Sequence, residues 1–175
     1  MVNELRGELN DRRTQLVKST YKMLQSLSSE HILRLSDMAR LVDLTYCPSV
    51  MAGDCSVEDA LADFEDAWAA RDPNMLIQES AFSAFYGDVS FEFPLDNDFE
   101  RFMRNTWHLS GGSGNCANVS CRKVEVIHLD GRVTTEEIKN DLAIKGEGEE
   151  IQELLVKNLA SQGIKDVKKI SVIKP

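Results

Sequence analysis

The segment Ser110-Gly-Gly-Ser-Gly-Asn-Cys-Ala-Asn118 constrains this chain more than any other feature, because charge and hydrophobic period both change across it. It holds three glycines in four residues and reads as a loop or linker. Residues 1–121 carry 10 basic and 19 acidic side chains, net −9, whereas residues 122–175 carry 10 of each. Before the segment, apolar residues recur at three- and four-residue steps; after it, short runs alternate. The expected organisation is a mainly α unit over 1–109, a Gly/Ser/Asn-rich linker over 110–121 and a small β-β-α-β unit over 122–175.

In the first unit, Leu9, Leu16, Val17, Thr20, Tyr21, Leu24 and Leu27 mark one face of a helix from about Glu8 to Gln25. Ser36-Asp37 can start a second helix bearing Met38, Leu41 and Val42. Pro48 is expected to close that region, with Met51-Ala-Gly-Asp54 as a turn. Ser56 is an N-cap candidate with Asp59 in the first turn, and Val57, Leu61, Phe64 and Trp68 form a helical stripe ended by Asp72-Pro73-Asn74. A fourth helix carries Ala81, Phe82, Phe85 and Tyr86. After Pro94, Asp96 can cap a fifth with Phe99, Phe102, Met103 and Trp107. In the second unit, Asp130-Gly131 between Val124, Val126, Ile127 and Val133, Ile138 predicts a hairpin. Ile151, Leu154, Leu155 and Leu159 predict a helix stopped near Gly163, and Val167, Ile170, Val172 and Ile173 a last strand. A unit of this size buries little surface and is expected to lean on the helices.

With 175 residues, the chain fits one ordinary domain or two small ones. Its net charge of −9 and pI near 4.9 argue against nonspecific binding to nucleic acid or anionic membrane. No apolar run in Met1–Arg13 resembles a signal peptide, and no 18-residue apolar stretch suits a membrane span. Four cysteines are too sparse for a disulfide scaffold and no pair has Cys-x-x-Cys spacing, so a reducing cytoplasmic setting is the default expectation.

Two helix–loop–helix units back to back, with short apolar loop segments at Ile32-Leu33 and Leu76-Ile77, have the layout of an EF-hand pair. The chain resembles the last EF-hand pair of calcyphosine and calcyphosine-like proteins over roughly residues 8–109. The carrying residues are Arg12-Arg13-x-Gln15-Leu16-Val17, Asp43-x4-Pro48-x-Val50-x-x-Gly53, Phe82-x-x-Phe85-Tyr86-x-x-Val89-Ser90 and Asp96-Asn97-Asp98-x-x-x-Phe102-Met103-Arg104-Asn105-x-Trp107. The resemblance implies a short antiparallel contact between the two loops. Further on, Asn115-Cys116-Ala-Asn118, Cys121-Arg122-Lys123-Val-x-Val and Asp130-Gly131-Arg132 resemble tails of this module in ciliary proteins of single-celled eukaryotes.

The loops depart from the family. A calcium loop presents oxygens at positions 1, 3, 5, 9 and 12, with Gly at 6. In one register the first loop offers Gln25, Leu27, Ser29 and Ser36 at positions 1, 3, 5 and 12, with Glu30 at the turn. Ending instead on Asp37, it offers Ser26, Ser28, Glu30 and Arg34 with His31 at the turn. The second loop offers Ala69, Arg71, Pro73, Ile77 and Ser80, or Ala70, Asp72, Asn74, Gln78 and Ala81 with Met75 at the turn. Neither loop is expected to hold calcium.

Other constellations have bland readings. Cys116 and Cys121 with His108 and His128 lack the paired short spacing of structural zinc sites. Cys47 and Cys55 flank a turn and can approach each other, but reducing surroundings argue against a bridge. Ser110–Gly114 lacks the Lys-Ser/Thr of a phosphate loop. Glu58, Asp59, Asp63, Glu65 and Asp66 read as a solvated face, with a basic partner as the alternative. Trp68 and Trp107 read as core, and Lys165, Lys168, Lys169 and Lys174 as a solvated edge. No residue is nominated as catalytic, cofactor-binding or metal-binding, no cofactor is expected, and no catalytic set is present to suggest an enzyme. The resemblance implies a structural protein of the ciliary or flagellar axoneme, a microtubule inner protein contacting tubulin and neighbouring lattice proteins. The alternative is a soluble EF-hand adaptor or calcium-signalling regulator that grips a partner helix in the groove between its own helices.

Overall fold

The computed structural model describes residues 9–71, 75–139, 141–146 and 148–173. Glu8, the Asp72-Pro73-Asn74 stop and Lys174 lie outside the described residues. The fold is mainly α with a small antiparallel sheet.

Among the described residues, six helices make the first unit. Helix α1 spans Asp11–Leu27; Asn10 caps it, its side chain accepting from Arg13 N. Leu9 therefore precedes the helix, and the chain continues through a 3-10 turn at Ser29–His31 into α2, Leu35–Leu41. Pro48 does not close the region as expected. It opens a short helix α3, Pro48–Ala52, because its fixed φ suits a first helical turn and that turn's N–H has no partner to lose. Gly53, at φ +80°, ends α3. Helix α4 is Val57–Arg71. Asp59 N donates to Ser56 Oγ, the cap expected there, and Ser56 N returns a bond to Asp59 Oδ2. Helix α5 is Glu79–Val89 and α6 is Asp96–Thr106. Asp96 does not cap α6; its carboxylate turns to α1, where it accepts from Asn10 Nδ2 at 2.8 Å and Arg13 Nε at 2.7 Å.

The second unit pairs β1, Lys123–His128, with β2, Val133–Glu137, and with β3, Val167–Ile173, in the order β2-β1-β3, all antiparallel. Helix α7, Glu149–Ser161, covers one face. Ile151, Leu155 and Leu159 of α7 meet Val124, Val126, Ile138 and Ile170.

The 110–121 segment is not a slack linker. Arg104 Nη1 donates to Ser110 O, Asn118 N to Gly111 O, and Asn118 Nδ2 to Arg104 O. Asn105 Oδ1 accepts from Val119 N, and Asn118 Oδ1 accepts from Cys121 N. A Cβ at Gly112 would lie 2.4 Å from Cys116 O, so this close approach requires glycine. The reason is tertiary: small residues let the backbone lie against α6, where Cys116 and Asn118 become buried.

Candidate functional site

The two loops meet as the resemblance implies. Arg34 and Leu76 form an antiparallel bridge, with Ile77 N donating to Leu33 O at 2.9 Å and Leu35 N to Met75 O at 3.0 Å. Leu33 and Ile77 are buried beneath it. Their pairing selects the registers 26–37 and 70–81, which place Leu33 and Ile77 eighth in each loop. The sixth residues are then His31 and Met75, with φ +56° and +57°. That is the left-handed turn a calcium loop reserves for glycine, here adopted by residues with side chains that disfavour it. Both loops thus keep the sharp backbone turn without the residue that makes it easy.

Side chains at ligand positions of the first loop have other partners. Ser26 Oγ donates to Met23 O and Ser28 Oγ to Leu24 O, while Asp37 Oδ2 accepts from Arg34 N at the start of α2. Arg34, ninth in the loop, lies 3.7 Å from Glu30. In the second loop Ala70 and Ala81 offer no oxygen and Asp72 and Asn74 lie outside the described residues; the neighbouring Arg71 binds Asp88 at 2.6 Å.

Helix α6 contributes Phe99 and Met103, and the residue after it is Trp107; all three are fully buried in one cluster with residues of α1, α2, α4 and α5. The Trp107 ring lies 6.3 Å from Phe64 and 6.2 Å from Phe82, and its Nε1 donates to Tyr86 Oη at 2.7 Å. Burial pushes the Tyr86 phenol well above its ordinary range, so it stays neutral and able to accept. Polar contacts hold the other side of α6. Arg13 binds Asp96, Ser90 O and Phe93 O while its guanidinium covers the Phe99 ring at 5.0 Å. Arg12 Nε and Arg104 Nε each donate to Glu100 at 2.9 Å. Burial works against the Glu100 charge, but the two guanidiniums outweigh it and hold the carboxyl below its usual range. Two sequence blocks more than 80 residues apart, around Arg12-Arg13 and Asp96–Arg104, are therefore one interface.

A second centre joins the two units. His108, at φ +48°, follows α6 and is almost enclosed. Its Nε2 meets Asp43 Oδ2 at 2.7 Å and its Nδ1 meets Asp141 Oδ1 at 2.6 Å. Asp141 Oδ2 also accepts from Arg122 N, and Asp43 Oδ1 from Thr45 N. Burial alone lowers an imidazole's pKa; the hydrogen bonds and charges of Asp141 and Asp43 outweigh it and push His108 up to about 9. Burial works against the Asp43 charge, but His108 and Thr45 outweigh it and hold its carboxyl below the usual range. A charged imidazolium thus clasps the connector after α2 to the sheet unit. Beside it, Leu142 buries itself in the helical cluster.

The four residues weighed as a zinc set do not converge. Cys121 Sγ donates to His108 O, and burial with nearby acidic charge pushes its thiol up. Cys116 lies 3.5 Å from Arg12 Nη2. His128 Nε2 is 2.8 Å from Thr134 Oγ1, and its Nδ1 faces Asp166 at 2.9 Å without the alignment of a hydrogen bond. That set ties the hairpin to the start of β3. Trp68 and Trp107 are core, the acidic residues of α4 are exposed, and Lys165, Lys168 and Lys169 are exposed on and beside the edge strand β3.

Sequence reasoning missed the His108 clasp and an open apolar trough of about 530 Å³. Tyr46, Pro48, Met51, Phe93, Phe102 and Val119 line the trough, with Asp98 and Arg101 at its rim. The only advance signal for the trough was Phe102 in a helix whose other apolar residues repeat toward the core. Among the described residues, no helix is long and apolar enough to cross a membrane. No protein-family model, curated protein or solved structure matches the chain.

Proposed function

We propose that this chain is a non-catalytic structural protein built on an EF-hand-like pair that does not work as a calcium switch. In this reading it is an axonemal microtubule inner protein, held against tubulin and neighbouring lattice proteins in doublet microtubules. The observation that carries the structural part is α6 packed into the common core of the pair, with Trp107 bonded to Tyr86. A calcium-switched adaptor keeps a groove for a partner helix and opens it when metal binds. In this reading α6 takes the place of such a helix in cis, and oxygens of the first loop are engaged in caps and helix ends. The retained bridge and turn with altered ligand positions fit a frame kept for shape. The axonemal setting and tubulin rest on the resemblance of residues 8–109 and of the tail from Asn115.

The test is retention in cilia. Tagged protein is expected to stay with doublets through salt washes that strip externally bound dyneins, since enclosed apolar contacts survive screening and lattice repetition raises effective concentration. Loss in the first wash, or failure to enter the cilium, overturns the reading. The open trough beside α3 and α6 then favours the second one, a soluble adaptor.

A further inference from the structure

Cys47 and Cys55 stand at the two ends of α3, half-buried and unbridged. The structure places both on one hydroxyl. Cys55 Sγ–H donates to Ser49 Oγ at 3.4 Å, and Cys47 Sγ lies 3.4 Å from the same oxygen. In that second contact either the Cys47 thiol or the Ser49 hydroxyl can donate. The sulfurs are therefore no more than twice that distance apart, with the Ser49 hydroxyl between them. The thiolate is the form of a cysteine that reacts with peroxides. Between the two cysteines, Met51, Ala52, Gly53 and Asp54 are exposed, and Gly53 turns the chain with nothing near the place of a Cβ. Both cysteines also pack against the helical cluster, so the exposed turn between them is where the chain adjusts to the Cβ separation a disulfide needs.

We propose that Cys47 and Cys55 are a peroxide-responsive thiol pair, in which one is oxidised and the other closes a disulfide across α3. The thiolate of one attacks one oxygen of a hydroperoxide such as hydrogen peroxide. The O–O bond breaks, hydroxide leaves and is protonated to water, and that cysteine becomes a sulfenic acid. The thiolate of the other attacks that sulfur, and the S–O bond breaks to release a second hydroxide, also protonated. In sum two thiols give up two electrons and two protons, one peroxide is reduced and two waters form. The bridge spans the helix that supplies Pro48 and Met51 to the trough, so oxidation fixes one wall of that surface.

The test uses the full chain treated with hydrogen peroxide, followed by alkylation and peptide mapping under non-reducing conditions. The expected product has lost two hydrogens and links Cys47 to Cys55 within one molecule, with Cys116 and Cys121 still alkylated after denaturation. In Cys55→Ser and in Cys47→Ser, a sulfenic acid probe such as dimedone is expected to label the remaining cysteine of the pair. The unmutated chain reports the bridge without any variant. A bridge to another cysteine, intermolecular dimers or no bridge overturns the proposal.

Discussion

Among the described residues, the helical unit gathers Trp68, Trp107, Tyr21, Tyr86, Phe64, Phe82 and Phe99 into one buried cluster. The sheet unit gathers only aliphatic residues, seven of them, between α7 and three short strands. The sheet unit also lends Leu142 to the helical cluster and Asp141 to His108. The difference teaches that the two units are not equal partners. The first has rings that fill a core from five helices, and the second completes its burial on the first.

The sharpest way to break this comparison is to separate the units. Residues 122–175 alone are expected to show no cooperative thermal transition by circular dichroism, whereas residues 1–121 keep one. A cooperative melt of the short fragment makes the sheet unit independent. Next in size, Trp107→Ala is expected to cost about 3–5 kcal/mol, because the ring fills the centre of the cluster and its loss orphans Tyr86. Trp68→Phe is expected to cost less than about 1.5 kcal/mol, since Trp68 Nε1 is buried without a partner among the described residues and its loss removes an unmet donor. Urea denaturation compares the two.

The clasp sharpens the comparison through pH. The folded pKa of His108 is raised to about 9, above the ordinary 6.5. Its contribution is therefore fully present below about pH 6.5, falls between pH 6.5 and 9, and is gone above about 9. The loss is expected to be of order 2–3 kcal/mol, and His108→Ala is expected to remove the slope. A pH series of urea midpoints checks both, and a slope unchanged in His108→Ala moves the titration elsewhere. The smallest effect is at the loops. His31→Gly is expected to stabilise by about 0.5–1 kcal/mol, because His31 is exposed and its φ of +56° suits glycine. Destabilisation by the same urea assay means that the imidazole has a role the turn conceals.

Much of the frame was legible because helical stripes carry their own period. Val57, Leu61, Phe64 and Trp68 place α4 before any contact is known, and Asp130-Gly131 places the hairpin for the same local reason. Pro48 was misread because one residue type both stops a helix and starts one, and the choice lies in the chain before it. The 110–118 segment reads as a loop or linker from its composition, and its fixings, Asn118 and Asn105 among them, are not legible there because they act across α6 rather than along the sequence. The clasp had no local trace: Asp43 and Asp141 lie 65 and 33 residues from His108. The loop bridge was expected, but its register needed Leu33 and Ile77 to be seen face to face.

The central claim is that the pair is a closed frame, with α6 as a fixed part of its core rather than a helix waiting to be displaced. Amide hydrogen exchange across α6, with and without millimolar calcium, tests it most directly. The account predicts that the Phe99–Thr106 amides exchange as slowly as the buried turns of α1 and do not change with calcium. Fast exchange in α6, or its release when calcium is added, contradicts the closed frame and restores a regulated groove.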